Sequence, residues 1–421
     1  MGQVSTRAGR YVRQLTGYRA FLPADLPPDP AVNISGPLQV MLSEADRALG
    51  RLDGSIQTLP NPDLFVAMYV RKEAVLSSQI EGTQSSLQDL LAAEAKIFSP
   101  KLPQDVSEVV NYVGAMNHGL NRLSVLPVSV RLIREIHERL LAGARGSHLT
   151  PGALRTTQNW IGPGGCTLAA AVFVPPPPDQ VPVALGQLER FIHGDSELPL
   201  LIKIGLAHAQ FETIHPFLDG NGRVGRLLIA LLLCEQQVLL KPVLYLSHYF
   251  KRNRAEYYDR LQATRDAGAW EEWLGFFVRG VAEVSREATE TARRILALRE
   301  QHRGIVATML GRAAGNGHRV LEHLYERPIL AVGGRAGVDR HVVPGREPTR
   351  RPPDGVRHPP RDHGPSPQPP LLLPTVHRPV RRTVIGGGSE LNPIRYSLDL
   401  RHRTHSASNS SRKRRSVAAL S

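Results

Sequence analysis

The chain has 421 residues, 41% of them hydrophobic, which is too long for one simple core and predicts two or three domains. No stretch is apolar over the ~18 residues that a membrane span needs, and the first residues lack the apolar centre of a signal peptide. The two cysteines, Cys166 and Cys234, provide neither a disulfide framework nor a metal-binding spacing. These features argue against a membrane protein and predict a protein of the reducing cytoplasm.

The net charge of +14 is concentrated at one end of the chain. Residues 331–421 contain 17 Lys or Arg and 6 Asp or Glu, which leaves 35 basic and 32 acidic residues for the first 330. The body of the chain is therefore nearly neutral, and its charge gives no signal for nucleic-acid binding.

Helical periodicity dominates the first 330 residues. Residues 1–36 are interrupted by prolines and are expected to be extended. We expect Gly54 to stop the first helix and Gly82 to interrupt the second. Apolar residues at three- and four-residue spacing predict helices at 38–54, 63–80, 85–98, about 105–124, 128–143, 181–214, 226–238, 251–265 and 269–302.

Two segments depart from this pattern. Between 155 and 178, β-formers flank Gly162-Pro163-Gly164-Gly165, which predicts a hairpin. A new helix is expected from about 317, in GHRVLEHLYERPIL. Residues 331–421 are rich in Pro, Arg, Gly, His and Ser without an apolar period, which predicts disorder. One explanation for this break is a changed reading frame in a GC-rich gene.

The stretch HPFLDGNGRVGR, residues 215–226, combines side chains suited to phosphate chemistry. His215 can move a proton near neutral pH, and Asp219 is an oxygen ligand suited to Mg²⁺. Gly220-Asn221-Gly222 lets backbone N–H groups turn toward an anion at the start of a helix. Arg223 and Arg226 lie on one side of that helix, where their guanidinium groups could each bind phosphate through two hydrogen bonds. Positive charge is unfavourable at a helix N-terminus, so two arginines there indicate a bound anion.

This stretch resembles the Fic-domain motif, His-Pro-Phe-x-Asp/Glu-Gly-Asn-Gly-Arg-x-x-Arg, with every fixed position filled. SSQIEG at 77–82 resembles the inhibitory motif of that family, with Ser77, Glu81 and Gly82 matching. RTTQNWIG and FVPPPP resemble the flap hairpin and its exit in larger bacterial Fic proteins. Together the resemblance covers roughly residues 10–330.

The resemblance implies a mainly α fold, with an all-helical Fic core and one β-hairpin flap. The domains implied are an N-terminal helical domain with the inhibitory helix at 1–104, a catalytic domain with following helices at 105–300, a truncated winged-helix start at 301–330 and a disordered basic tail at 331–421. Homodimers are also implied.

The same resemblance implies transfer of AMP from ATP to a Tyr, Thr or Ser hydroxyl of a target protein. His215 would take the hydroxyl proton, and Asp219 would hold Mg²⁺ against the phosphates. The phosphate cradle would consist of Gly220, Asn221, Gly222, Arg223 and Arg226. The flap, defined here as residues 156–175, would add the target segment as an extra strand.

The motif at 77–82 implies a switch. Ser77 and Glu81 are four residues apart, on one helix face. A carboxylate at position 81 that reaches Arg226 would occupy the space of the γ-phosphate, so Glu81→Gly is expected to raise AMP transfer.

Other functions remain open from the sequence. Within the same family, removal of AMP from modified proteins or transfer of another phosphate-containing group, such as phosphocholine, would use the same motif. A winged helix after 317 would bind DNA, but residues 331–421 do not continue that pattern.

The spacing of His208, Glu212 and His215 could also form a metal trio. Because Pro216 breaks the helix, we interpret the first two as packing residues. Tyr257 and Tyr258 are expected to pack the late helices, although one of the two could line the base pocket.

Overall fold

The computed structural model describes residues 6–59, 61–94 and 103–326 of the chain, and these are mainly α-helical, as the sequence predicts. Two strands come first, β1 (Gly9–Arg13) and β2 (Arg19–Pro23). The helices, in chain order, are α1 (Pro37–Gln57), α2 (Pro62–Ile80), α3 (Leu87–Glu94), α4 (Val106–Arg122), α5 (Val130–Leu140), α6 (Val181–His193), α7 (Leu200–Ile214), α8 (Asn221–Glu235), α9 (Ser247–Arg252), α10 (Arg254–Ala267), α11 (Trp270–Leu310) and α12 (Ala314–Glu326).

Helix α1 packs along the long helix α11. Its buried side chains recur at three- and four-residue spacing, which gives the helix one apolar face: Leu38, Leu42, Ala45, Leu49, Leu52 and Ile56. The expected stop at Gly54 is wrong, because the helix continues to Gln57. Burial of Ile56 in the core offsets the ~1 kcal/mol that an internal glycine costs.

Helices α7 and α8 form the centre of the fold. In each of them 13 of 15 residues are buried, a pattern typical of a helix that is surrounded on all sides. Helix α8 contacts α2, α4, α5 and α7. The connection between α7 and α8, residues 215–220, therefore lies among several helix ends.

The N-terminal segment forms a hairpin that the sequence analysis did not predict. Strands β1 and β2 pair antiparallel, with Tyr11 opposite Phe21. The backbone N–H of Phe21 donates to the carbonyl of Val174 (2.9 Å), and its ring lies 5.7 Å from that of Phe173. The hairpin thus packs against the exit of the flap, a tertiary contact that the local pattern of prolines conceals.

The hairpin predicted between 155 and 178 is reduced to a single antiparallel bridge. Ile161 pairs with Phe173, and the Ile161 N–H donates to the Phe173 carbonyl at 2.8 Å. The residues between them form turns and a short 3₁₀ segment, Leu168–Ala170, rather than strands. Pro163 and the surrounding glycines favour turns over a regular ladder.

The later helices largely follow the expected pattern. The single pattern at 181–214 is divided into α6 and α7, and α11 extends beyond the predicted end at 302. Helix α12 begins near the predicted start at 317 and packs on α11. The end of the segment expected to start a winged helix, residues 327–330, and the basic tail at 331–421 lie outside the described residues. Among the described helices, none combines the length and apolarity needed to cross a membrane.

Candidate active site

His215 terminates α7 in an unusual backbone conformation. Its φ and ψ are 48° and 61°, in the left-handed region, and Pro216 prevents the helix from continuing. The ring Nδ1 lies 3.4 Å from the Glu212 carbonyl, and because a carbonyl only accepts, this contact places the proton on Nδ1 and leaves Nε2 as the acceptor. The side chain is half-buried. Burial, with the charges of Arg265 and Arg155, lowers the pKa of His215 to about 4, so the imidazole is neutral at pH 7.

The glycine loop after His215 is fixed by local hydrogen bonds. Gly220 adopts φ 80° and forms the N-cap of α8, where no side chain caps the helix. The Asn221 amide both accepts from the Phe217 N–H and donates to the Phe217 carbonyl, each at 2.8 Å. Its side chain therefore shapes the loop, and the first N–H groups of α8, which have no intrahelical acceptor, remain for an anion.

His137 of α5 also supports the loop through contacts with Phe217 and Asp219. The ring stacks on Phe217 at 3.7 Å, Nδ1 accepts from the Gly152 N–H (2.8 Å) and Nε2 donates to the Asp219 carbonyl (3.0 Å). Burial lowers the pKa of His137 to about 4, so it supports the loop as a neutral ring.

Asp219 and Arg223 meet at the start of α8, together with Glu108 of α4. Arg223 is fully buried; its Nη1 donates to Glu108 Oε2 (3.0 Å), and its Nη2 lies 3.4 Å from Asp219 Oδ1. Asp219 Oδ1 also accepts from the Gly220 N–H at 2.6 Å, while the side chain remains 33% exposed. Arg223 thus orients the Asp219 carboxylate and is itself paired with Glu108, a residue that no sequence motif indicated.

Arg226 takes its partners from the end of α2. Its Nε donates to Ser77 Oγ (2.8 Å), and its Nη2 donates to the Ser77 carbonyl (3.0 Å) and to Glu81 Oε1 (2.7 Å). Burial alone would raise the pKa of Glu81, but the charge and hydrogen bond of Arg226 outweigh it and lower that pKa. Gly82 follows with φ 97°, which lets the chain turn away directly after Glu81. The structure therefore brings together Ser77, Glu81 and Arg226.

Two glycines of α8 allow close approach of carboxylates. A Cβ on Gly222 would overlap Glu81 Oε1, and a Cβ on Gly225 would overlap Glu212 Oε1. Glu212 is buried, and its Oε1 has no hydrogen-bond partner. Burial raises the pKa of Glu212 to about 7.

The expected packing role of His208 agrees with its contacts. Its Nδ1 lies 2.9 Å from the Gly225 carbonyl and its Nε2 lies 2.9 Å from the Tyr257 hydroxyl, so both ring nitrogens are engaged. Tyr257 is buried with it, whereas Tyr258 is 37% exposed. Of the two tyrosines, only Tyr258 is therefore accessible to solvent.

The comparisons with known proteins cover the same elements. A family model described as Fic/DOC family matches residues 127–233, and one described as Fic/DOC family N-terminal matches residues 40–121. The chain is a Fic-domain protein. The Fic match includes His215, the glycine loop and Arg226, and the N-terminal match includes Ser77 and Glu81.

Similar proteins carry adenylyltransferase names. A protein of Aquifex aeolicus (strain VF5), named as a probable protein adenylyltransferase, is 26% identical over 204 residues, which are 48% of this chain and 57% of that protein. The protein adenylyltransferase fic-1 of Caenorhabditis elegans is 30% identical over 138 residues, 32% of this chain and 23% of that protein. This Fic-domain chain thus spans little more than half of the first relative and about a quarter of the second.

The Fic fold is also found by structural comparison. The crystal structure of a Fic family protein from Desulfovibrio desulfuricans G20 matches with a TM-score of 0.52 and 22% identity. The match covers 62% of this chain and 76% of that one. At this identity the likeness concerns the fold alone.

Proposed function

We propose that this chain is a protein adenylyltransferase, which transfers AMP from ATP to a Tyr, Thr or Ser hydroxyl of a target protein. The observation that carries the proposal is the meeting of three groups at one site. The neutral imidazole of His215 ends α7, and the buried guanidinium of Arg226 lies near the start of α8. The Glu81 carboxylate is close enough to both groups to affect their pKa values. The names of the relatives support the same reaction class.

In the proposed reaction, His215 Nε2 accepts the proton of the target hydroxyl as its oxygen attacks the α-phosphorus of ATP. The new oxygen–phosphorus bond forms while the bond from the α-phosphorus to the bridging oxygen breaks, and pyrophosphate leaves. Base catalysis of this kind contributes ~10²–10⁴-fold. The N-terminal N–H groups of α8 and the Arg226 guanidinium would bind the phosphate oxygens.

The residues fit a magnesium ion, which usually takes one or two carboxylates together with substrate phosphates. Asp219 is the residue that would hold it, because its carboxylate is oriented by Gly220 and Arg223 and remains partly exposed. When bound, the ion supplies positive charge to the α- and β-phosphates.

We further propose that Glu81 inhibits this reaction. Its ion pair with Arg226 uses the guanidinium that would otherwise bind the γ-phosphate. Removal of one partner from a partly buried ion pair is costly, so the pair would be stable until ATP or a partner competes with it. This regulation is expected to hold the enzyme in a low-activity state.

The target would bind along the flap. Trp160 and Val172 lie beside the Ile161–Phe173 bridge and are 40% and 60% exposed, so the flap offers apolar side chains as well as backbone groups to an added strand. Tyr258, the exposed tyrosine, is the aromatic group proposed to line the base pocket. A homodimer and a cytoplasmic location remain predictions.

The test uses wild type, Glu81→Gly and His215→Ala, each incubated with ATP labelled at the α- or the γ-phosphate. We expect label to be retained on protein from the α- but not the γ-position, with a gain of at least tenfold in Glu81→Gly and loss in His215→Ala. Glu94→Gly is the matched control, since Glu94 also ends a helix and pairs with an arginine, Arg71 (2.6 Å). Retention of γ-label, or no label in Glu81→Gly, would overturn the proposal.

Removal of AMP is the second candidate, favoured by the ionised and partly exposed Glu81 carboxylate, which could activate a water molecule. Protein already modified with labelled AMP separates the two activities. Loss of label over time with wild type but not with Glu81→Gly would favour removal.

A further inference from the structure

Two buried arginines lie at the C-terminal end of α7, and the sequence by itself assigned a role to neither of them. Arg155, immediately before the flap, is 2% exposed, and Arg265 on α10 is 5% exposed. The Nε of Arg155 donates to the His215 carbonyl (2.9 Å), and its Nη2 lies 3.4 Å from the Ile214 carbonyl. The Nη2 of Arg265 donates to the Glu212 carbonyl at 3.2 Å. Both guanidinium groups therefore contact the last carbonyls of this helix.

The last carbonyl groups of a helix lack intrahelical donors and carry partial negative charge, so cations are favourable there. In the described part of the chain, neither Arg155 nor Arg265 forms an ion pair with a carboxylate. Burial lowers the pKa of each guanidinium to about 10, and for Arg265 it does so against the opposing charge of Glu212. A buried, unpaired arginine is costly, so a pair of them at one helix end calls for a function.

The carbonyls they hold are those that set the His215 geometry. The Glu212 carbonyl oxygen accepts from Arg265 and also lies 3.4 Å from His215 Nδ1. The His215 carbonyl accepts from Arg155 Nε and from Asn159 Nδ2 (3.2 Å). The left-handed backbone of His215 costs ~1–3 kcal/mol and persists only where its surroundings fix it.

The same two arginines also contact the end of the flap and the residue that follows it. Arg155 Nη2 donates to the Pro176 carbonyl (2.5 Å), directly after the flap. The Arg265 guanidinium carbon lies 4.0 Å from the centre of the Phe173 ring, which belongs to the flap bridge. Each side chain thus joins the end of α7 to the segment on which the target would lie.

On the basis of the proposed function, we propose that Arg155 and Arg265 are positioning residues for His215. Their guanidinium groups hold the α7 carbonyls on one side and the flap on the other, so that the imidazole keeps a fixed geometry relative to the target segment.

The charge of these two arginines affects the pKa of His215, and a merely structural role would leave that pKa unchanged. The groups that face His215 are Arg265 on α10, Arg155 before the flap, Glu81 at the end of α2 and the Glu212 carbonyl on α7 itself. Loss of either arginine charge would let the His215 pKa rise from about 4 toward its ordinary value of 6.5. A base with a higher pKa is protonated at a higher pH, so the acid limb of the rate profile would move upward.

The experiment uses the full chain with Glu81→Gly, to which Arg155→Met, Arg265→Met, Arg155→Lys or Arg265→Lys is added. AMP transfer is measured against pH, and the His215 ring is titrated by NMR with labelled histidine, its signal being assigned by its absence in His215→Ala. We expect kcat to fall ~10- to 100-fold in the Met variants, with the acid limb and the His215 titration at higher pH. The Lys variants retain the charge, so we expect a smaller loss of kcat and no shift of the limb.

Arg122→Met is the matched control, because Arg122 pairs with Glu135 and contacts no α7 carbonyl; it should change neither readout. Thermal melts verify folding, and where a Met variant does not fold, the Lys variant decides through its loss of kcat at an unchanged limb. Unchanged kcat and unchanged His215 titration in folded variants would overturn the inference. An inactive Glu81→Gly parent would overturn the proposed function alone, and the NMR titration would still decide the role of the arginines.

Discussion

Glu81 Oε1 lies 2.7 Å from Arg226 Nη2, although the two residues are 145 positions apart in the chain. The pair joins the end of α2 to the first turns of α8, with the guanidinium buried and the carboxylate partly open to solvent. A contact of this kind can be displaced by a stronger anion, such as a nucleotide phosphate, more readily than a fully enclosed one.

Ser77 is the second partner of Arg226, and replacing its side chain tests how much this hydrogen bond contributes to the proposed low-activity state. Ser77→Ala would leave the Arg226 Nε–H without its acceptor, and hydrogen bonds to charged groups contribute ~1.5–3 kcal/mol. We expect AMP transfer to rise on the order of tenfold, less than in Glu81→Gly. Ser43→Ala is the control, because Ser43 accepts from Arg47 on the exposed surface of α1. Equal rates in Ser77→Ala and wild type would contradict this account.

Asp219 should determine the response to magnesium. In the Glu81→Gly protein we expect a chelator to abolish AMP transfer, and Asp219→Asn to raise the magnesium concentration for half-maximal rate by about tenfold, because the site loses its anionic ligand. The rate is measured across a magnesium titration, with Asp63→Asn as control, since Asp63 forms an exposed ion pair with Lys241. Transfer that proceeds unchanged with the chelator present would argue against a metal at Asp219.

Glu108 should be important for stability. Glu108→Ala would leave Arg223 buried beside Asp219 without its main counter-ion, which costs ~3–5 kcal/mol. Urea unfolding measures the change. Glu44→Ala provides the comparison, because the pair of Glu44 with Arg286 is exposed and should contribute at most ~1 kcal/mol. Similar unfolding midpoints for the two variants would show that the buried ion pair contributes no more to the free energy of unfolding than the exposed one.

Glu212 should make stability depend on pH. Burial raises its pKa to about 7 in the folded protein, against an ordinary 4.5, so the folded state holds this proton more tightly than the unfolded chain. The resulting stabilisation is complete below pH 4.5 and is lost as the pH rises through 7.

Glu212→Gln cannot ionise, so it should lack this dependence. The difference in unfolding free energy between variant and wild type should change by on the order of 3 kcal/mol between pH 4.5 and 7.5, in favour of the variant at the higher pH. Glu290→Gln, on the exposed surface of α11, is the control. Parallel curves for Glu212→Gln and wild type would refute the buried, protonated carboxyl.

Much of the fold could be predicted from the sequence because helical periodicity is a local signal. Two of the differences from the predicted pattern involve contacts between distant segments, and a third has a local cause. Gly54 did not stop α1 because Ile56, two residues later, is buried in the core. The β1–β2 hairpin, which the sequence did not indicate, packs against the flap exit at Val174. The predicted flap hairpin formed only one bridge, since turn-forming residues occupy most of its length.

By itself the sequence determined the mainly helical fold and the composition of the motif at 215–226, because twelve adjacent residues carry both the glycine loop and the side chains. Only the tertiary structure decided the partners of those side chains. It pairs Arg223 with Glu108, Arg226 with Ser77 and Glu81, and the end of α7 with two buried arginines. Such pairings depend on which helix faces meet, and the spacing of residues along one segment does not contain that information.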